Sequence, residues 1–122
     1  NAYETLSTLH KKYQLAVITN TQRFITEQVL DQFDLTSLFD EIVCADDVKK
    51  GKPHPDIIFH ACNLLNIPTT QAIVIGDTNS DFLASKQAGC IMIGMNFKQD
   101  HNPFITNLSE IPQVINQIEK QN

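Results

Sequence analysis

Four polar side chains in this sequence stand at or just beyond the points where the strands of a sheet would end. Two apolar runs, residues 15–18 and residues 72–75, are rich in valine and isoleucine. The polar residues that follow them are Thr19, Asn20, Asp77 and Asp81. Carboxylates at a strand end beside a helix N-terminus can hold a hard cation and a phosphate together. Because these residue types are also common in turns and helix caps, their chemistry depends on the fold bringing them together.

A lysine in a glycine–proline loop adds a positive charge to this set. Lys52 stands between Gly51 and Pro53, whereas Lys49 and Lys50 are interpreted as a solvated cluster. A fixed ammonium neutralises the charge of a phosphoryl group, hydroxyl and backbone N–H groups bond its oxygens, and a carboxylate can hold Mg²⁺. The other loop acids and the histidines are interpreted as residues without chemistry: Asp46, Asp47, His10, His54, His60 and His101.

Strands and helices alternate along the chain. Apolar runs predict strands at residues 15–18, 41–45, 72–75 and 90–95, and a short edge segment from Ile105. Apolar spacing predicts helices at residues 2–12, 55–66 and 79–88, one after residue 20 and one from Ser109 onwards, with a single turn at residues 38–39. Strands without polar alternation are buried on both faces, so the pattern indicates an α/β fold with a mostly parallel sheet. Ligands of such sheets bind at the carboxyl ends of the strands.

Particular residues are expected to define the helix ends. Asn79 and Ser80 are predicted to cap the helix that Gly89 ends, and Ser109 to cap the last helix. Pro55 suits the first position of its helix. The helix after residue 20 is predicted to carry Ile25, Val29, Leu30 and Phe33 on one face.

Composition and charge narrow the range of functions. The chain has 122 residues, enough for one domain, and its net charge of −5 argues against a nucleic-acid surface. No apolar run approaches the roughly 20 residues of a membrane span, and residues 1–9 lack the basic start of a signal peptide. Three cysteines without CxxC spacing indicate buried free thiols, so a cytoplasmic location is expected.

Three segments resemble the second, third and fourth motifs of the haloacid dehalogenase superfamily. They are residues 17–20 (VITN), 51–56 (GKPHPD) and 75–81 (IGDTNSD), in the family's order and spacing. The resemblance covers residues 5–97 and is similar to phosphoglycolate-phosphatase-like members. It implies a three-layer, Rossmann-like fold and a Mg²⁺-dependent phosphate monoester phosphatase that works through an aspartyl-phosphate.

The resemblance also implies a role for each candidate residue. Thr19 and Asn20 would bind phosphate, and Lys52 would be catalytic, bridging the phosphate and the nucleophile. Asp77 would ligate Mg²⁺, and Asp81 would support that metal site. The expected ligand is a small phosphorylated substrate, without nucleic acid or membrane.

The first motif of the family, which supplies the nucleophilic aspartate, has no counterpart in this sequence. It should precede Thr19, yet residues 1–18 contain no aspartate, and the helical cap that shapes substrate choice is missing too. Residues 1–122 are therefore interpreted as one partial core domain, the carboxyl-terminal portion of a hydrolase that is inactive alone. The alternative is a non-catalytic phosphate- or partner-binding module. A phospho-receiver domain is disfavoured, because its acids precede its threonine and lysine.

The resemblance places the missing strand in the middle of the sheet, between the strands that end at Thr19 and at Asp77. Open strand edges are costly, so the slot is expected to be filled. An upstream segment could fill it, or a segment of a second copy in a homodimer. Direct pairing of residues 15–18 with residues 73–76 is expected first if the chain begins at Asn1. Bare strands facing solvent would argue against this arrangement.

Overall fold

The computed structural model describes residues 2–99 and 102–121, and its elements follow the predicted alternation. His101 lies outside the described residues. The helices are α1 Ala2–His10, α2 Arg23–Gln32, α3 Asp56–Leu65, α4 Asn79–Ala88 and α5 Ile111–Gln121. The strands are β1 Ala16–Ile18, β2 Glu41–Val43, β3 Ile73–Gly76, β4 Ile91–Met95 and β5 Phe104–Ile105. Short 3₁₀ turns lie at Thr36–Leu38, Ala45–Asp47, Thr69–Gln71 and Leu108–Glu110.

The strands form two separate parallel ladders. β1 pairs with β2, with Val17 opposite Ile42, and β3 pairs with β4, with Val74 opposite Met92. β4 also pairs with the edge strand β5. Because the connections of parallel strands cross over through helices, the strands' carboxyl ends lie along one edge. The α/β class predicted from the sequence is confirmed.

Helices cover both faces of the ladders, which gives three layers. On one face α3 and α4 build a core with the strands: Val43, Ile57, Ile58, Ala61, Cys62, Val74, Ala84 and Ala88. On the other face α1 and α5 build a second core with β4 and β5: Leu9, Ile93, Ile105, Ile111, Ile115 and Ile118. The strands between these layers read as continuous apolar runs because they are buried from both sides.

An open groove of about 720 Å³ separates the two ladders, and residues 15–18 and 72–75 face each other across it. Among the described residues β1 and β3 do not pair, so the expected direct pairing is wrong. Packing on both faces holds the strands apart. Val43 and Val74 share one core with α3, while Leu15 and Ile73 both pack on the core of α1 and α5. Both strands are bare on either side of the groove, and among the described residues no segment fills the slot, which is the result that the sequence analysis named as arguing against its arrangement.

Three of the predicted helix ends are corrected by the structure. Thr78 caps α4, because its hydroxyl accepts the N–H of Asp81, and Asn79 and Ser80 lie inside the helix. Asn107 caps the turn before α5, where Ser109 was expected. Pro55 is the residue before α3 rather than its first residue. Gly89 ends α4 with a φ of 82°, as predicted.

The apolar face of α2 is only partly buried. Leu30 is buried, but Ile25, Val29 and Phe33 are exposed at 47%, 47% and 60%. The helix is anchored by Leu30 and Thr26, and its remaining apolar stripe faces solvent. The periodicity located the helix correctly but overstated how much of it is covered.

None of the described helices combines the length and apolar character that a membrane-spanning segment needs.

Candidate functional site

The polar residues predicted from the sequence meet at the carboxyl edge of the strands. Asn20 follows β1, Lys52 stands in the loop before α3, and Asp81 lies in the first turn of α4 beyond β3. Hydrogen bonds join the three residues in that order, so they bridge the mouth of the groove. The fold therefore joins three of the five candidate residues, Asn20, Lys52 and Asp81.

Lys52 and Asp81 form a close, largely buried ion pair. The Nζ of Lys52 donates to Oδ1 of Asp81 at 2.5 Å, and the two side chains are only 14% and 8% exposed. Burying both charges is costly unless each is well paired, so this geometry fixes the position of the ammonium. The loop also touches α4 through Gln87, whose Nε2 donates to the carbonyl of Pro53 at 3.4 Å.

The second carboxylate oxygen of Asp81 organises the turn between β3 and α4. Oδ2 accepts the backbone N–H groups of Asp77 and Thr78 at 3.1 and 3.3 Å, and the hydroxyl of Thr78 at 3.0 Å. Gly76 makes this packing possible, because a Cβ there would lie 2.6 Å from Cβ, Cγ and Oδ2 of Asp81. A larger residue at position 76 would displace the carboxylate.

These contacts decide the ionisation of Asp81. Burial alone would raise the pKa of its carboxyl, but the hydrogen bond and charge of Lys52 oppose burial, as do bonds from Thr78 and Asp77. The net effect lowers the pKa below its ordinary value. Asp81 is therefore an anion at neutral pH, committed to Lys52 and to its own helix start.

Asn20 grips the main chain of Lys52. Its Oδ1 accepts the Lys52 N–H at 2.9 Å, and its Nδ2 donates to the Lys52 carbonyl at 3.0 Å. Gly51 lies against the same amide, and a Cβ on Gly51 would overlap Oδ1 of Asn20. Phosphate binding by Asn20, implied by the family resemblance, stays a prediction, and its side chain has this structural partner.

Thr19 and Asp77 stand at opposite sides of the same edge. Thr19 continues the β1 ladder by donating its N–H to the carbonyl of Val43 at 3.0 Å, and its Oγ1 accepts the N–H of Thr21 at 3.1 Å. Asp77 is exposed, and within residues 2–99 and 102–121 its carboxylate makes no hydrogen bond or ion pair. Its oxygens are therefore available to a ligand.

Asp77 and Asp81 differ in how well they could bind a divalent cation. Asp77 offers a free carboxylate, the donor that Mg²⁺ prefers. Both oxygens of Asp81 are already engaged, so Asp81 fits a supporting role better than direct ligation. The described part of the chain contains no group of three or more acid, histidine or cysteine side chains placed to hold a metal. Of the two candidate acids, only Asp77 therefore keeps a carboxylate available to a cation.

Thr78 is the residue of this site that the sequence analysis missed. Its hydroxyl both donates to Oδ2 of Asp81 and accepts the N–H of Asp81, which closes a capping box. The signal was present in the sequence as Thr78-Asn79-Ser80-Asp81, a threonine followed three residues later by an acid. That spacing distinguishes Thr78 from its two polar neighbours.

The exposed acids after β2 also make structural contacts. Asp47 accepts the N–H of Cys44 at 2.8 Å and pairs with Arg23 at 2.6 Å, and Asp46 accepts the N–H of Arg23 at 2.9 Å. The N–H of Cys44 is the main cause that lowers the pKa of Asp47, with Arg23 adding to it against burial. Both acids are exposed, which agrees with their interpretation as solvated loop residues, and their hydrogen bonds also fix the turn after β2.

The chain belongs to the haloacid dehalogenase-like hydrolases, whose family pattern it matches over residues 1–95. It is 34% identical over 107 residues to a phosphoglycolate phosphatase of Haemophilus influenzae (strain 86-028NP), covering 87% of this chain and 48% of that protein. It is 36% identical over 100 residues to a validoxylamine A 7'-phosphate phosphatase of Streptomyces hygroscopicus subsp. limoneus, covering 81% and 47%.

The fold is also similar to solved structures of this superfamily. A subfamily IA hydrolase of the superfamily from Geobacter sulfurreducens PCA superposes with a TM-score of 0.85 at 27% identity, covering 92% of this chain and 53% of that one. The chain spans about half the length of the curated relatives it matches. The family and the three-layer fold expected from the motifs are confirmed.

Proposed function

We propose that this chain supplies the anion- and metal-binding half of a Mg²⁺-dependent phosphate monoester phosphatase. In the complete protein the reaction would pass through an aspartyl-phosphate, with the nucleophile provided by residues outside this sequence. The observation that carries the proposal is the buried Lys52–Asp81 pair at the carboxyl edge of the strands, which hydrogen bonds link to Asn20. Two curated relatives named as phosphatases support the same reaction class.

Each residue then has a defined task. The ammonium of Lys52, held by Asp81, offsets the negative charge of the phosphoryl oxygens, and the hydroxyl of Thr19 donates to one of them. Asp77 would hold Mg²⁺, which when bound supplies further positive charge to the phosphoryl group. Asp81 keeps Lys52 and the start of α4 in place.

The identity of the substrate is not fixed by this half of the fold. The two relatives match at 34% and 36% identity, yet their names specify phosphates of very different size. We infer that this half of the fold recognises the phosphoryl group, which both names have in common. We propose a small phosphate monoester as the substrate class.

The anion site can be tested on the chain itself. Inorganic phosphate should raise the Tm as the site fills, because a ligand that binds only the folded state stabilises it. Lys52→Ala should abolish most of the rise, while Lys49→Ala, which removes an exposed lysine from the same loop, should leave it intact. A rise of equal size in Lys52→Ala would refute the anion site.

The chain alone is expected not to hydrolyse p-nitrophenyl phosphate with Mg²⁺. No aspartate precedes Thr19 in the sequence, and the single free carboxylate of Asp77 leaves the cation weakly held. The measurement compares release of nitrophenol by the wild-type chain and by Lys52→Ala. Turnover by the wild type above that control would show that the nucleophile lies within these residues.

The open groove favours a second function, binding of a partner in extended conformation. β1 and β3 each expose an unpaired backbone edge to an apolar channel, which is the geometry of strand addition. We propose that the occupant is a parallel, apolar β-strand, from an upstream segment or from a second copy. A non-catalytic module would use the groove in the same way but would show no Lys52-dependent phosphate binding.

We also infer a cytoplasmic location from the thiols. Cys44 and Cys62 are buried, Cys90 is half-buried, and all three are free. Free thiols persist in reducing compartments. Quantifying thiols in protein purified without reductant tests this inference.

A further inference from the structure

We propose that Asn20 is a positioning residue for Lys52, and that its side chain acts on a bound anion only through that lysine. The inference rests on the proposed function, because it concerns the same phosphate site. It assigns to the Asn20 amide a task different from direct phosphate binding.

The contacts of Asn20 amount to a two-point clamp on one residue. The N–H of Lys52 donates to Oδ1 at 2.9 Å, and Nδ2 donates to the carbonyl of Lys52 at 3.0 Å. These are the two bonds that a neighbouring strand would make, yet they come from a side chain 32 residues away. Oδ1 is an acceptor already engaged by the Lys52 N–H, so it offers no donor to an unprotonated phosphate oxygen.

Gly51 provides the space that the clamp needs. The three atoms nearest to a Cβ built on Gly51 all belong to the side chain of Asn20, and Oδ1 would overlap it. A side chain at position 51 therefore cannot coexist with this amide. The glycine of the loop and the asparagine of the strand end form one unit.

The clamp and the ion pair fix Lys52 at both ends. Asn20 holds its main chain from the β1 side, and Asp81 holds its ammonium from the β3 side at 2.5 Å. Lysine has a long, flexible side chain, so anchoring only the ammonium leaves the rest of the residue free to move. Ordering the backbone in advance lowers the cost of presenting the charge to an anion.

The test is a double-mutant cycle on phosphate affinity, measured by calorimetry on the whole chain. Asn20→Ala should weaken phosphate binding about tenfold through the loss of two hydrogen bonds. Gly51→Ala should weaken it by a similar factor, since its Cβ displaces the amide. The double variant should be no weaker than either single variant, because both break the same clamp.

Hydrogen exchange at the Lys52 amide tests the clamp without any ligand. Exchange should be about tenfold faster in Asn20→Ala and in Gly51→Ala, since an N–H that loses its acceptor is exposed more often. Asn116→Ala, an exposed asparagine on α5, serves as the matched control and should change neither exchange nor affinity.

Three results would overturn the proposal. One is unchanged Lys52 exchange in Asn20→Ala. Another is additive loss of affinity in the double variant. The third is weaker phosphate binding in Asn20→Ala but not in Gly51→Ala, which would mean that Asn20 contacts the anion itself. If the wild-type chain binds no phosphate, the proposed function fails, and the exchange experiment alone decides whether the clamp exists.

Discussion

At the scale of single residues, the site is organised by a carboxylate that is already fully occupied. One oxygen of Asp81 accepts a hydrogen bond from Lys52, and the other accepts bonds from two backbone N–H groups and the hydroxyl of Thr78. The carboxylate of Asp77, four residues earlier, has no hydrogen-bond or ion-pair partner in the part of the chain that the structure describes. Two aspartates of one short motif therefore differ in role. Asp81 stabilises the start of α4 and the position of Lys52, whereas the carboxylate of Asp77 is available to a ligand.

Asp81→Asn should destabilise the folded chain at pH 7 by about 3 kcal/mol, because it leaves the charge of Lys52 buried without a partner. The pKa of Asp81 is lowered on folding, so its contribution is complete above about pH 4 and is lost as the pH falls through the folded pKa. The deficit of the variant should therefore shrink at acid pH. Urea unfolding of both proteins at pH 7 and near pH 3 measures it.

Asp77→Asn is the matched control for this measurement. Its backbone N–H still donates to Asp81, and the exposed carboxylate it removes has no partner among the described residues. Its effect on the free energy of unfolding should stay within about 0.5 kcal/mol. A deficit of Asp81→Asn that is constant with pH would contradict the assigned ionisation.

At the scale of elements, the start of α4 decides where the site lies. β3 ends at Gly76, and within two residues the chain turns into a helix capped by Thr78. The capping box draws the Asp81 side chain back over the turn, directly against Gly76. The geometry that places Asp81 within reach of Lys52 is therefore a helix-capping geometry.

Thr78→Ala should cost about 1 kcal/mol of stability through the loss of the cap. Thr78→Ser keeps the hydroxyl and should recover most of that loss. Ser80→Ala changes a residue inside the helix and should have little effect, although sequence alone favoured it as a cap. Urea midpoints at unchanged m report these differences, and a larger loss for Ser80→Ala would restore the original assignment.

Local sequence patterns predicted the strands and helices well, but they predicted the contacts between distant side chains less well. The strand ends before Thr19 and Asp77 followed from buried runs, because burial on both faces leaves a signal in composition. The clamp of Asn20 on Lys52 joins residues 32 positions apart, and no periodicity encodes such a contact. The ion pair of Arg23 with Asp47 was not predicted for the same reason, since the two residues are 24 positions apart in the sequence.

At the scale of the whole molecule, the chain consists of two ladders held at a fixed distance by helices. Core side chains of α3 contact both ladders on one face, and α1 and α5 bridge them on the other. The groove between the ladders carries exposed apolar residues, with Ile75 and Ile91 each 39% exposed. Unpaired strand edges beside apolar surface favour association.

The purified chain should therefore self-associate through this groove. Ile75→Lys places a charge on the groove wall and should lower the association constant at least about tenfold, because the charge must be desolvated on contact. Phe24→Lys removes an even more exposed apolar residue, at 71%, from α2 outside the groove. Sedimentation velocity over a range of concentrations compares them, and equal effects would place the contact elsewhere.

The bridge from Asn20 through Lys52 to Asp81 also has a mechanical meaning. It crosses the mouth of the groove at the carboxyl edge and tethers the end of β1 to the start of α4. A segment that enters the groove and moves the two ladders apart would lengthen these hydrogen bonds, and a movement of the ladders towards each other would shorten them. Lys52, which we propose binds the anion, is thus part of the contact that links the two ladders, and we expect filling of the groove to change anion affinity through this side chain.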